Sequence, residues 1–81
     1  MNINEITERI IGCGIEIHRE LGPGLLESIY ESALSIELRN RGLKFERQKV
    51  LPVEYKGYKI GEFRIDLLVE NSVVVELKSV E

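Results

Sequence analysis

Asp66, Glu76 and Lys78 are the residues whose types and spacing could do chemistry together. They sit in two apolar runs, 63–69 and 73–80, joined by the short loop Glu70-Asn71-Ser72. Pairing Val69 with Val73 across that loop puts Phe63, Ile65, Leu67, Val73, Val75 and Leu77 on one face, whereas a one-residue slip would mix the faces. Burial therefore selects this register. It sets Asp66 directly opposite Glu76, with their Cβ atoms about 5 Å apart. Lys78 shares the face of Glu76 and lies opposite Arg64.

Two adjacent carboxylates repel, and one tends to protonate unless a cation intervenes. Oxygen-only ligands suit Mg²⁺ or Mn²⁺. A third carboxylate, Glu27, would complete a hard-cation site if its helix packed on the same region. The Lys78 ammonium would then position or help deprotonate a water at the ion, or stabilise charge developing on a phosphate. The plainer reading is a cross-strand Glu–Lys–Arg network on a solvated face, because Asp…Glu-x-Lys spacing arises by chance in many strands.

Two helices must position these strands. The spacing of Ile3, Ile6, Ile10, Cys13, Ile17 and Leu21 predicts a helix over 4–21 with one apolar stripe. Asn4 would cap it, Glu5 and Glu8 would favour its first turn, and Gly22-Pro23-Gly24 would stop it. A second helix is predicted over 25–41, with Gly42 just past its end. Its polar arc is narrow: Ser28, Ser32, Ser35 and Arg39. Leu26, Ile29, Tyr30, Ala33, Leu34, Ile36 and Leu38 cover most of the rest. Glu27 and Glu37 fall inside that apolar arc, where a carboxylate is costly unless it is paired or binds a cation. Glu27 also has a structural explanation, since a carboxylate in the first helical turn is favoured by the dipole.

Beyond Gly42 the pattern alternates. A strand is predicted over 45–53, reaching at most Tyr55, with a weak turn at 55–58. Short connections make neighbouring strands antiparallel. The expected fold is α+β: two N-terminal helices, then an antiparallel three- to four-stranded meander with a helix on its apolar face.

The 81 residues leave room for one small domain. A composition of 43% hydrophobic and 31% charged residues excludes a disordered or collagen-like chain. The lone Cys13 excludes an internal disulfide and a Cys-rich zinc site, and the expected compartment is the cytoplasm. No apolar run approaches the roughly 20 residues that cross a bilayer. A net charge of −3 disfavours a purely electrostatic nucleic-acid binder. Lys44, Arg47, Lys49, Lys56 and Lys59 outnumber Glu46 and Glu54 between residues 44 and 59. A strand edge kept soluble by lysine accounts for that stretch better than a phosphate-facing patch.

The stretch His18-Arg19-Glu20-Leu21-Gly22-Pro23-Gly24-Leu25-Leu26-Glu27-Ser28-Ile29-Tyr30-Glu31 contains Gly-x-x-Glu-x-x-Tyr at Gly24, Glu27 and Tyr30. It closely resembles the hallmark of the GxxExxY protein family, a branch of the PD-(D/E)XK nuclease-like superfamily. The resemblance continues through Arg41-Gly42-Leu43, Gln48 to Pro52, Tyr55-Lys56-Gly57 and residues 63–69 to Glu76-Leu77-Lys78. It implies that Asp66 and Glu76 are metal ligands, that the Leu77 carbonyl supplies another, and that Lys78 is the catalytic lysine. It implies that Glu27 is the helix-borne acidic residue. The implied activity is Mg²⁺- or Mn²⁺-dependent phosphodiester hydrolysis on a nucleic acid, DNA or RNA. Family members continue past the Glu-x-Lys strand with a further helix and strand. Residues 1–81 are therefore expected to be one partial nuclease-like domain, either a fragment or one whose homodimer partner covers the exposed sheet face. The rival expectation is a non-catalytic binding or oligomerisation module that keeps the fold.

Among the remaining residues, Cys13 reads as an inert core hydrophobe. His18 reads as a packing histidine with a secondary role near the site in reserve. Tyr30 reads as a core aromatic whose hydroxyl finds a polar partner near Glu27. Gln48 is a candidate for the neighbourhood of the site from the adjacent strand.

Overall fold

The computed structural model describes residues 1–78. Two helices, α1 (Ile3–Leu21) and α2 (Glu27–Asn40), precede three strands, β1 (Phe45–Tyr55), β2 (Tyr58–Val69) and β3 (Val73–Val75). The strands form one antiparallel sheet in the order β1-β2-β3. The α+β architecture expected from the periodicity is the one observed.

Helix α1 starts one residue earlier than expected. Asn2, not Asn4, is the cap: its side-chain oxygen accepts from the Glu5 N–H at 2.9 Å, and its amide donates to the Glu5 carboxylate at 3.1 Å. Helix α2 is shorter at both ends than 25–41. It closes in a double turn in which Leu43 N–H bonds Leu38 C=O at 2.9 Å and Gly42 N–H bonds Arg39 C=O at 3.1 Å. That turn needs a left-handed residue, and Gly42 supplies it at φ 74. It also folds Leu43 back beside Leu38, and both are buried.

The β1–β2 hairpin turns through Lys56 and Gly57, both at positive φ, as a two-residue turn matched to strand twist requires. β2 therefore begins at Tyr58, well before the Phe63 start expected, and β1 reaches Tyr55. Ile60 is skipped in the pairing, since Val53 faces Gly61 and Glu54 faces Lys59. Pro52 is tolerated because β1 is an edge strand. β3 is short. Its Val69–Val73 and Leu67–Val75 pairs hold the expected register, but the ladder ends at Val75. The expected continuation of this strand to residue 80 ends outside the described residues.

The core joins Ile6, Cys13 and Ile17 of α1, Leu34 and Leu38 of α2, Leu43, and Leu67 and Val69 of β2. The apolar stripe of α1 is buried at Ile6, Cys13 and Ile17, while Ile3 and Leu21 at its ends are exposed. The polar arc expected on α2 is displaced. Ser35 and Glu31 are buried, while Leu26, Ile29 and Ile36 are exposed. Ser35 can be buried because its hydroxyl donates to the Glu31 carbonyl one turn back, at 2.8 Å. Two glycines bring the helices close: Arg41 reaches the Gly12 carbonyl at 3.5 Å and Tyr30 the Gly14 carbonyl at 3.4 Å. A Cβ at Gly12 would stand 2.8 Å from the Arg41 guanidinium.

Cys13 is fully buried, and its removal from water pushes the thiol above the usual range. The charge of Glu37 reinforces that shift, while Arg41 and the backbone hydrogen bond oppose it without reversing it. The raised folded value means that the unfolded chain loses this proton first as pH rises, so stability falls above the ordinary thiol range of about 8.5. A thiol reagent at pH 8 is expected to label Cys13 slowly in native buffer and fully in denaturant. Cys13→Val is expected to flatten the alkaline decline in urea-unfolding midpoint.

Candidate functional site

The chemistry-bearing residues line two adjoining clefts of about 300 and 290 Å³. Glu27, Ser28 and Glu31 of α2, with Gln48, Asp66 and Leu77, line the first. His18, Leu25, Glu27, Tyr30, Glu76, Leu77 and Lys78 line the second. Glu27 and Leu77 belong to both walls. The site candidates His18, Glu27, Tyr30, Gln48, Asp66, Glu76, Leu77 and Lys78 each border one cleft or the other, whereas Glu37 and Arg64 border neither.

The clefts are built by what replaces the end of the sheet. Past Val75 the Leu77 N–H donates to Asp66 Oδ2 at 2.7 Å. An aspartate side chain thus takes the bond that a strand carbonyl would take, and the backbone carrying Glu76 and Lys78 is held beside α2. The expected ladder pairs, Asp66 with Glu76 and Arg64 with Lys78, are not part of the sheet. Facing carboxylates repel, so Asp66 turns to a backbone donor while Glu76 borders the neighbouring cleft.

Among the described residues, no three His, Cys, Asp or Glu side chains are grouped as ligands of one ion. The three-carboxylate cluster expected from Glu27, Asp66 and Glu76 is not assembled. Glu27 is exposed on the shared wall, not buried as its position on the apolar arc required. Glu37, the other carboxylate of that arc, is half-buried and pairs with Arg41 at 3.7 Å. The donor types still fit a hard divalent cation, because both clefts offer carboxylate oxygens with no thiolate.

The carboxylate that is buried is Glu31, with 8% of its surface exposed. Sequence reading missed it. Arg47 holds Glu31 Oε2 through two nitrogens at 3.1 and 2.9 Å, and Gln48 donates to Oε1 at 2.6 Å. The same Gln48 amide nitrogen lies 3.5 Å from Asp66 Oδ1. One signal was available: Glu31 lies one turn after Glu27 and so shares its face.

His18 is exposed and meets the Tyr30 ring edge-on, with centroids 6.3 Å apart. It is part of the cleft wall and not of the core. The Tyr30 hydroxyl finds its partner in α1 at Gly14, not near Glu27. Of the basic residues between 44 and 59, Lys49 pairs with Glu46 at 2.8 Å and Lys59 with Glu62 at 3.1 Å.

Two helices leading into a three-stranded sheet, with acidic side chains and a lysine around a shared wall, define a small α+β domain with a polar cleft at the sheet's end. The chain belongs to the PD-(D/E)XK nuclease superfamily, which its sequence matches over residues 4–81. No curated protein and no solved structure matches it. No helix among the described residues is long and apolar enough to cross a membrane.

Removing Arg47 would leave the Glu31 carboxylate buried without its strongest donors. Arg47→Ala is expected to lower stability by about 1–3 kcal/mol. Glu31→Gln with Arg47→Ala together should cost less than the two single changes added, as read from urea unfolding in a double-mutant cycle.

Proposed function

We propose that this chain is a divalent-cation-dependent phosphodiesterase acting on nucleic acid, in the GxxExxY branch of the superfamily. The bond from Leu77 N–H to Asp66 carries this reading, because it ties the acidic residue of β2 to the Glu76-Leu77-Lys78 segment. Asp66, Glu76 and the Leu77 carbonyl would hold Mg²⁺ or Mn²⁺, with Glu27 on the shared wall. The ion's chemistry is to acidify a bound water and polarise a phosphoryl oxygen.

The other residues act through position and charge. The Lys78 ammonium borders the same cleft as Glu76 and offsets negative charge that grows on the phosphate. Tyr30 and His18 wall that cleft and orient the nucleic-acid strand entering it. Fixing Asp66 before substrate arrives lowers the reorganisation needed at the reacting phosphate.

Isothermal titration with Mn²⁺ is expected to show binding in the wild type and none in the Asp66→Ala, Glu76→Ala double variant. Unchanged binding there would sink the site. Lys78→Ala should fold and bind Mn²⁺ normally, while cleavage of labelled DNA or RNA falls by about 10²–10³-fold.

A second reading rests on a separate observation. The outer half of the β1–β2 hairpin carries Leu51 opposite Phe63 and Val53 opposite Gly61, on the face that continues from Ile65. Ile65 is buried, but Phe63 is 52% exposed, and Leu51 and Val53 are also open to solvent. We infer a binding or assembly role for this face, with a second copy of the chain as its cover. Sedimentation is expected to show a dimer that Leu51→Ser with Phe63→Ser converts to monomer. A wild-type monomer at high micromolar concentration removes this reading.

A further inference from the structure

Gln48 is held in a backbone conformation that its neighbours do not share. The β1–β2 ladder runs through Arg47–Leu67 and Lys49–Ile65, and between these pairs Gln48 stands at φ 51. Residues with a Cβ seldom adopt this region, and they keep it only where the surroundings over-determine it. The surroundings here are specific. The Gln48 amide carries two N–H donors, and its nitrogen lies between Glu31 Oε1 at 2.6 Å and Asp66 Oδ1 at 3.5 Å. Glu31 is itself fixed by the forked guanidinium of Arg47. The other oxygen of Asp66 is engaged by the Leu77 N–H.

We propose that Glu31, Arg47 and Gln48 form a positioning device that sets the Asp66 carboxylate. Arg47 anchors Glu31, Glu31 orients the Gln48 amide, and the amide restrains one Asp66 oxygen while the Leu77 N–H restrains the other. None of the three touches the reacting atoms; they act through Asp66. The purpose of the device rests on the proposed cation site, but its geometry does not. Partners that orient a metal ligand typically change affinity or activity by about 10–100-fold when removed.

Gln48→Gly separates positioning from folding. Glycine accepts positive φ without strain, which offsets part of the loss of the Gln48 donor to buried Glu31, so the variant should stay folded with only a small shift in thermal unfolding. In metal-free protein, the Leu77 amide should exchange with deuterium about tenfold faster in the variant, while Leu67 is unchanged. Mn²⁺ affinity should fall at least about tenfold, as in the general case. Glu31→Gln, which keeps its shape, should loosen Leu77 in the same way.

An unchanged Leu77 amide in Gln48→Gly overturns the device. So does wild-type Mn²⁺ affinity in that variant when Asp66→Ala has lost binding. A faster Leu77 amide in a chain that shows no Asp66-dependent Mn²⁺ binding supports the device and instead removes the cation site.

Discussion

One hydrogen bond decides where the polar residues of this chain end up. β3 is three residues long, and its ladder with β2 stops at the Leu67–Val75 pair although β2 itself runs back to Tyr58. The Asp66 carboxylate supplies the missing acceptor. At 2.7 Å from the Leu77 nitrogen it makes a charge-assisted bond of the stronger class, about 1.5–3 kcal/mol. It turns the segment 76–78 toward α2 without extending the sheet. A strand carbonyl in its place would have left Glu76 in the ladder facing Asp66. Two clefts exist because a side chain, and not the backbone, closes the sheet.

That bond needs Asp66 held from its other side, and the hold comes from the helical layer. Close approach of α1 and α2 at Gly12 and Gly14 sets the depth of α2 over the sheet. At that depth Glu31 is buried and meets Arg47 of the edge strand. A buried carboxylate without donors would be costly, whereas one with three donor contacts is not. The polar layer is therefore satisfied, and no buried side-chain nitrogen or oxygen among the described residues lacks a partner. Packing of apolar side chains and satisfaction of polar ones thus impose the same spacing between helix and sheet.

The parts legible in the sequence were those governed by period and by turn chemistry. The two helices, the Gly42 stop, the three strands and the Val69–Val73 register all follow from local rules that tertiary contacts reinforced. The site was legible as a neighbourhood and not as an arrangement. Asp66, Glu76, Lys78, Glu27 and Gln48 do border adjoining clefts, but the opposition of Asp66 to Glu76 assumed that the ladder continues. Nothing in alternation reveals that an aspartate will capture a backbone N–H two residues past the last strand pair. Glu31 escaped for a different reason. A helical wheel ranks faces by composition, and the face of Ser28, Ser32 and Ser35 read as solvated. Ser35 carries its own partner in the turn below, so that boundary could sink into the core and take Glu31 with it.

Charge shapes how such a domain could meet a polyanion. The chain is net acidic, and Arg47, Lys49 and Lys59 are committed to Glu31, Glu46 and Glu62. Lys56 lies over the Tyr55 ring, 5.4 Å from its centre. A broad phosphate-tracking stripe, which would release many counterions and bind with a steep salt dependence, is therefore not what the β1–β2 face presents. On the proposed function, attraction would be local to the clefts, where Lys78 stands beside Glu27 and Glu76 and a cation would offset their repulsion of phosphate. A site of the proposed kind would couple its two ligands. Divalent cation and phosphate each lower the cost of binding the other, and by linkage the coupling is reciprocal. The acidic balance that argues against a general nucleic-acid binder is what the proposed cleft would require, since it would admit phosphate only together with a metal ion.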